Sequence, residues 1–170
     1  MKIAILGYSD SGKSTLARQL ADYYNIPVLF LDTVQFKPGW AERDKDEGRK
    51  IVLDFMQKND SWVIDGNYRG FYRDERLELA DMIIYLKFPR LICLIRAFKR
   101  YFKYKNKTRE SMADGCIEKI DMEFIWWILY KGRTKGIRDQ YDKILSHYKD
   151  KAVILKSKKQ VDKFLHNTII

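Results

Sequence analysis

Short apolar runs alternate with amphipathic segments along most of the chain. Five runs have the length and unbroken apolar character of buried strands, at residues 3–6, 28–31, 62–64, 82–86 and 152–155. Strands that are apolar on both faces are typical of a parallel sheet covered by helices on both sides. The pattern therefore predicts a three-layer α/β domain whose strands are joined by right-handed helical crossovers.

Helical spacing of apolar residues marks several of the segments between these runs. Residues 13–24 and a segment around 43–58 carry apolar side chains every three or four positions, and residues 91–102 form a strongly amphipathic helix after Pro89. The aromatic run at 124–130 has the same spacing, and we interpret it as helix packing rather than as a ligand-binding cluster. We find no repeat and no linker, so we expect a single domain over residues 1–170.

The composition fits one soluble globular domain. Of the 170 residues, 46% are hydrophobic and 33% are charged, and the longest strongly apolar stretch is only seven residues, 124–130. A membrane-spanning helix needs about 20. The N-terminal region lacks the features of a signal peptide, so we expect a cytoplasmic protein that contacts no membrane. Cys93 and Cys116 match no zinc or redox pattern, and we expect two free thiols.

The net charge of +10 is concentrated in one segment. Residues 87–109 contain nine lysines or arginines and no acid. Such a segment suits a polyanion, so nucleic acid, acidic lipid and nucleotide phosphates are all possible partners at this point. Aromatic residues alternate with these lysines and arginines, at Phe98, Tyr101, Phe102 and Tyr104. Binding of single-stranded nucleic acid, with its bases stacked on these rings, is therefore an alternative.

The loop after the first strand carries the strongest chemical signal. Residues 7–14 fit the pattern G-x-x-x-x-G-K-[ST] and lie between a strand and a helix, where the pattern must lie to bind phosphate. Loop amides and the helix N-terminus would bind the phosphates of ATP, Lys13 would reach the β- and γ-phosphates, and Ser14 would bind Mg²⁺. The predicted nucleotide-binding residues are Gly7, Ser9, Asp10, Ser11, Gly12, Lys13, Ser14 and Thr15.

Two aspartates lie at the carboxyl ends of predicted strands, which is where parallel-sheet proteins bind their ligands. Asp65 ends the third strand, and we predict that it holds Mg²⁺ through water; the alternative is a turn aspartate in an Asp-Gly pair. Asp32 ends the second strand and is predicted to accept a proton from the acceptor, to orient the acceptor or only to cap a turn. Trp40 and Tyr68 follow the same strand ends, and we expect both to pack in the core.

The arginines predict a lid over the phosphate loop. Arg96 and Arg100 are four residues apart and therefore share one helix face, Arg109 follows a lysine-rich turn, and a second basic stretch spans 133–138. Phosphoryl transfer needs positive charge around the transferred group and exclusion of water. We predict that Arg96, Arg100 and Arg109 supply that charge from a helical basic lid. The guanine-reading pattern N-K-x-D is absent, which disfavours a GTPase.

These motifs resemble those of the adenylate kinase-like family of P-loop kinases. Within that group the chain is most similar to the bacterial DNA topology modulation proteins, also called flagellar-regulator-like. The resemblance rests on residues 7–14, 31–32, 38–40, 62–68, 80–81, 96–100, 108–109, 112–116 and Phe124. It implies a five-stranded parallel sheet in the order 2-3-1-4-5, ATP at the phosphate loop, an acceptor near the second and third strand ends, and a lid insertion at roughly residues 101–118.

The sequence thus predicts an ATP- and Mg²⁺-dependent phosphotransferase acting on a small-molecule or nucleotide acceptor, as a monomer or homodimer. Residues 65–69 read Asp-Gly-Asn-Tyr-Arg where adenylate kinases have Asp-Gly-Phe-Pro-Arg, which argues against AMP as the acceptor. One alternative is a nucleotide-binding regulatory protein that acts on nucleic acid, as in DNA topology modulation, through the basic surface at 87–109. A catalytically inactive relative is another, and the intact Lys13, Ser14 and Asp65 argue against it.

Overall fold

A computed structural model describes residues 1–105 and 107–169 of the chain. The strands, in chain order, are β1 (Lys2–Gly7), β2 (Val28–Phe30), β3 (Phe36–Lys37), β4 (Ala41–Glu42), β5 (Trp62–Asp65), β6 (Met82–Leu86) and β7 (Ala152–Leu155). Five of them form one parallel sheet in the order β2-β5-β1-β6-β7, and β3 and β4 form a small antiparallel hairpin. Counted along the chain, the five strands of the large sheet have the predicted order 2-3-1-4-5.

Eight α-helices are present in the described part of the chain. They are α1 (Lys13–Tyr24), α2 (Leu31–Gln35), α3 (Lys45–Lys58), α4 (Arg73–Leu79), α5 (Arg90–Tyr104), α6 (Met122–Leu129), α7 (Lys135–His147) and α8 (Lys158–Ile169). Asp44 caps α3 by accepting hydrogen bonds from the N–H groups of Asp46 and Glu47, which lowers the pKa of its carboxyl. Leu31 begins α2 instead of ending β2, so Asp32 lies in the first turn of a helix.

The core lies along both faces of the sheet. Residues 3–6 of β1 are completely or almost completely buried, as are the strand residues 62–64 and 83–86 on either side. Cys93 and Cys116 are free and buried, as predicted. Within residues 1–105 and 107–169, no helix has the length and apolar character needed to cross a membrane.

The segment predicted as a helical lid is helical only at its start. Helix α5 ends at Tyr104, and residues 107–121 form turns and irregular backbone without a helix. In this part, Gly115 has a positive φ of 73°. Glycine adopts that backbone conformation at little cost, so it suits the turn here. The segment lies against the β3–β4 hairpin, where Trp40 Nε1 donates to the carbonyl of Ile117 at 3.0 Å.

Arg76 organises the loop after β5 from inside the core. Its side chain is fully buried, at 0% exposure, and its guanidinium donates to the carbonyls of Gly66 (3.3 Å), Tyr68 (2.9 Å) and Phe71 (2.8 Å). Burial lowers the pKa of Arg76 to about 10, so the group is still protonated at neutral pH. Because buried carbonyls need a donor, this one side chain determines the path of the loop that carries Asn67 and Tyr68.

Replacing Arg76 by methionine should therefore destabilise the protein strongly. Arg76→Met leaves buried carbonyls without a donor, and we expect the free energy of unfolding to fall by about 3 kcal/mol. Arg49→Met is a matched control, since Arg49 donates to the neighbouring Gly70 carbonyl at 3.1 Å from an exposed position. It should change stability by about 0.5 kcal/mol or less in urea denaturation. Equal losses in both variants would contradict this role of Arg76.

Candidate functional site

A cavity of about 880 Å³ contains the predicted phosphate loop and the residues predicted around it. The predicted site residues that line it are Ser9, Asp10, Ser11, Gly12, Lys13, Ser14, Thr15, Asp32, Asp65, Arg96, Arg100 and Arg109. Gly7 lies beneath them, at the end of β1. The structure therefore brings to one place residues that are up to 100 positions apart in the chain.

Gly7 and Asn67 anchor the phosphate loop to the sheet. The N–H of Gly7 donates to Asn67 Oδ1 at 3.1 Å, and Asn67 Nδ2 donates to the carbonyl of Gly7 at 2.7 Å. Gly7 has a φ of 152°, and a Cβ there would lie 2.8 Å from the carbonyl oxygen of Leu86. Lys13 Nζ donates to the Tyr8 carbonyl at 3.2 Å, across the loop. Since α1 begins at Lys13, its positive N-terminal end adjoins the cavity.

Ser14 and Asp65 form the candidate metal site. Ser14 Oγ donates to Asp65 Oδ2 at 2.7 Å, while Asp65 Oδ1 is buried without a hydrogen-bond partner. Burial raises the pKa of Asp65 to about 6, although Lys13 and Ser14 act to lower it. No cluster of three His, Cys, Asp or Glu side chains suitable for a metal occurs in the described residues. The unpartnered oxygen beside a hydroxyl fits Mg²⁺, which often takes few protein ligands and keeps water and phosphate oxygens.

Asp32 and Tyr68 form a hydrogen-bonded pair on the cavity wall. Tyr68 donates its hydroxyl to Asp32 Oδ1 at 2.7 Å, and burial together with the nearby carboxylate raises the pKa of Tyr68 above its usual range. Trp40 also lines the cavity, with its ring edge-to-face against Phe36 at 5.4 Å between centroids. Tyr68 also packs against the core, as expected. The expectation was wrong for Trp40, whose ring packs on Phe36 at the cavity wall.

The aromatic run at 124–130 divides between two environments. Phe124 and Trp127 line the cavity, and Trp127 Nε1 donates to Ser9 Oγ at 3.2 Å. Trp126 and Tyr130 are about half exposed and stack on each other at 4.3 Å. Phe124 also packs against the core, in line with the interpretation as helix packing, whereas that interpretation was wrong for Trp127, which bonds to the phosphate loop.

Arg96 and Arg100 contact the phosphate loop, and Arg109 lies in the irregular segment 107–121, which we call the cover segment. Arg96 Nη1 donates to the Ser11 carbonyl at 2.5 Å, and its guanidinium lies over the Phe88 ring at 4.3 Å. Arg100 Nη1 pairs with Asp10 Oδ1 at 2.6 Å. Arg109 pairs with Glu118, which also accepts from Arg100.

Asp10 lies among these positive charges. Burial raises the pKa of Asp10, although Arg100, Lys13 and Arg109 act to lower it. Its Oδ2 is buried without a hydrogen-bond partner. The phosphate loop therefore carries a buried carboxylate that depends on arginine charge for its ionised form.

The second basic stretch, 133–138, lies outside this cavity. Arg133 donates to the carbonyls of Phe88 (2.9 Å) and Ile128 (3.1 Å), and its guanidinium covers the Tyr8 ring at 3.8 Å. Lys135 and Arg138 are exposed. This stretch therefore does not add charge to the cavity, and Arg133 instead joins α6 to the core.

The fold is similar to that of deoxyadenosine kinase from M. mycoides. The structure of that kinase with bound dATP has a TM-score of 0.56 and 16% identity, over 99% of this chain and 98% of that chain. Its structure with the products dCMP and a flexible dCDP has a TM-score of 0.53 and 15% identity, over 99% and 98%. An uncharacterized protein from Eubacterium ventriosum ATCC 27560 has a TM-score of 0.53 and 14% identity, over 99% and 97%.

The chain has the α/β fold of these structures, with a five-stranded parallel sheet covered by helices. At these sequence identities the likeness establishes the fold alone. No protein-family model matches the chain, and no curated protein matches it. None of the three similar structures is described as a DNA topology modulation protein, so that part of the resemblance stays a prediction.

Sequence reasoning missed two residues that shape the candidate site. Asn67 anchors Gly7, and Glu118 joins Arg100 to Arg109. Asn67 follows the Asp-Gly pair at the end of β5, which was a usable signal because ligands gather at strand ends. Glu118 had no such signal, since it is one of several acids in an irregular segment.

The raised pKa of Asp65 predicts how stability depends on pH. Folding raises this pKa from 3.8 to about 6, so the folded state holds the proton more tightly and the protein loses stability as the pH rises through that range. Asp65→Asn removes this loss. Without Mg²⁺ and nucleotide, we expect the variant to be more stable than wild type by at most about 3 kcal/mol at pH 7.5 and equally stable near pH 4.

Urea denaturation across this pH range measures the difference, and Asp60→Asn, on an exposed position, is the control that should not show it. A difference between Asp65→Asn and wild type that does not change with pH would contradict the raised pKa.

Proposed function

We propose that the protein is an ATP- and Mg²⁺-dependent phosphotransferase that transfers the γ-phosphate to a small-molecule or nucleotide acceptor. The observation that carries this proposal is the position of Lys13, Ser14 and Asp65 in one cavity with Arg96, Arg100 and Arg109. This is the combination of phosphate, metal and charge-stabilising groups that phosphoryl transfer requires. The similarity of the fold to a kinase with bound nucleotides supports it.

In this proposal, the loop amides and Lys13 bind the phosphates of ATP. Ser14 and Asp65 hold Mg²⁺, which neutralises charge on the phosphate oxygens when it is bound. Arg96, Arg100 and Arg109 stabilise the charge of the transferred group. Because this catalysis depends mainly on positioning and electrostatics, the cover formed by residues 107–121 also contributes by excluding water.

The acceptor would bind at the Asp32–Tyr68 pair. Asp32 orients the acceptor hydroxyl and accepts its proton, and the bond from Tyr68 holds Oδ1 in place so that Oδ2 is available to the acceptor. Phe36, Trp40 and Met112 line the same cavity. Their apolar surface would contact the part of the acceptor that does not react.

A transfer assay tests this function. Purified protein is incubated with labelled Mg·ATP and pooled nucleosides, nucleoside monophosphates and small hydroxy compounds, and both labelled acceptor and free phosphate are resolved. We expect label on an acceptor and a fall of at least about 100-fold in Lys13→Ala, because the variant loses a charge that stabilises the transferred group. Lys50→Ala, on an exposed face of α3, should keep the wild-type rate.

Asp32→Asn belongs in the same assay and should lower kcat by about 100-fold. Full kcat with unchanged acceptor KM in this variant would contradict the role of Asp32. Failure to label any acceptor would contradict the proposed function. Release of free phosphate only, increased by added DNA or RNA, would favour the regulatory alternative.

That alternative, a nucleotide-controlled protein acting on nucleic acid as in DNA topology modulation, has one supporting observation. Four lysines of the basic segment are exposed, at positions 99, 103, 105 and 107, and Phe98 and Phe102 are exposed beside them on α5. Exposed lysines with exposed aromatics suit a single strand. Against it, Arg96, Arg100 and Arg109 are directed into the cavity and lie away from such a surface.

Salt dependence distinguishes the two functions. If the four lysines contact four phosphates of a single strand, affinity should fall by about 50-fold when salt rises from 50 to 200 mM. Fluorescence anisotropy with a labelled oligonucleotide measures this slope. If the kinase proposal is correct, we expect no such salt-dependent binding, and nucleotide affinity should change much less with salt. A slope of the size given for four phosphates would instead support the regulatory alternative.

A further inference from the structure

Glu118 lies where the cover segment, residues 107–121, meets α5. Its side chain is only 2% exposed. Its two oxygens contact two different arginines: Oε2 accepts from Arg100 Nε at 3.0 Å, and Oε1 pairs with Arg109. A buried carboxylate is stable in its ionised form only with such partners. One side chain therefore connects an arginine of α5 to an arginine of the cover segment.

Arg100 is held from two sides. Asp10 Oδ1 pairs with its Nη1 at 2.6 Å, and Glu118 binds its Nε. Two carboxylates at separate nitrogens determine the plane of the guanidinium, because its five N–H donors have a rigid geometry. Neither contact uses Nη2.

The residues just before Glu118 contact the β3–β4 hairpin region, whose Trp40 lines the cavity. The neighbouring Ile117 carbonyl accepts from Trp40 Nε1 at 3.0 Å, and Cys116 Sγ donates to the Lys37 carbonyl at 3.4 Å. The chain on the N-terminal side of Glu118 is thus attached to the β3–β4 hairpin region. Movement of Glu118 would displace Arg109 and loosen this attachment.

We propose that Glu118 is a positioning residue for phosphoryl transfer, which holds Arg100 and Arg109 in the orientation that stabilises the transferred group. This inference rests on the proposed function. Arginines that are oriented before the ligand binds need no further ordering. Small displacements of such groups from the productive geometry lower the rate of transfer strongly.

The test compares Glu118→Gln with Glu110→Gln. Glutamine keeps the size of the side chain but removes the charge shared by Arg100 and Arg109. Glu110 is a matched control, because it lies in the same segment and pairs with an arginine, Arg18, but its side chain is 75% exposed. We expect Glu118→Gln to lower kcat by about 30- to 100-fold with KM for ATP changed by about 2-fold or less, and Glu110→Gln to behave as wild type.

Glu118→Asp gives a second comparison, and it carries the test if Glu118→Gln does not fold. Aspartate keeps the charge but is one methylene shorter, so it should hold the two arginines less well together. We expect kcat to lie between those of wild type and Glu118→Gln. A role limited to stability would lower the fraction of folded protein and leave kcat per folded molecule unchanged in both variants, which would overturn the proposal.

Hydrogen exchange supplies a readout that does not need activity. We expect backbone exchange in residues 107–121 to rise by about 10-fold or more in Glu118→Gln and to stay at the wild-type level in Glu110→Gln. Unchanged exchange in Glu118→Gln would overturn the proposal, as would raised exchange with unchanged kcat. If wild-type protein transfers no phosphate, the proposed function fails, and raised exchange would still show that Glu118 anchors the cover segment.

Discussion

The close approach of β1 to β6 at Gly7 is the constraint on which the site depends. A side chain there would meet the carbonyl of Leu86 at 2.8 Å, and the two backbone groups of Gly7 are held by Asn67. The phosphate loop can begin its turn at this point only because the position has no Cβ. A larger residue would push β6 away, and with it the start of α5, which carries Arg96 and Arg100.

Buried charge is the second organising feature. Asp10, Asp65 and Glu118 are almost completely buried, and the basic groups around them are those that would bind a nucleotide. The pKa values of Asp10 and Asp65 are raised by burial, so their ionised forms carry a free-energy cost that the fold tolerates. Perturbed carboxylates that line one cavity are typical of a functional site, whereas a core built only for stability would use apolar side chains.

The five strands of the large sheet and helices α1, α3, α5 and α6 were predicted from strong local signals, whereas α2, α4, α7, α8 and the β3–β4 hairpin were not predicted. Strands buried on both faces form unbroken apolar runs, and α1, α3 and α5 carry clear amphipathic spacing. Helices α2 and α4 have five and seven residues, too few for the spacing to repeat. Trp40 and Trp127 were assigned to packing alone because an aromatic side chain gives the same sequence signal in a core and in a cavity wall.

The sequence by itself determined the strand–loop–helix unit with Lys13 and Ser14, because that unit is local and its glycines, lysine and serine have fixed spacings. It also determined the sheet order, through its resemblance to a known family. Only the tertiary structure decided which charges meet. Glu110 and Glu118 are equivalent in the sequence, yet one pairs with Arg18 at the surface and the other joins Arg100 to Arg109 in the interior. Arg100 meets Asp10 across 90 positions of the chain. Such pairings depend on how helices and loops pack against the sheet, and no local pattern encodes that packing.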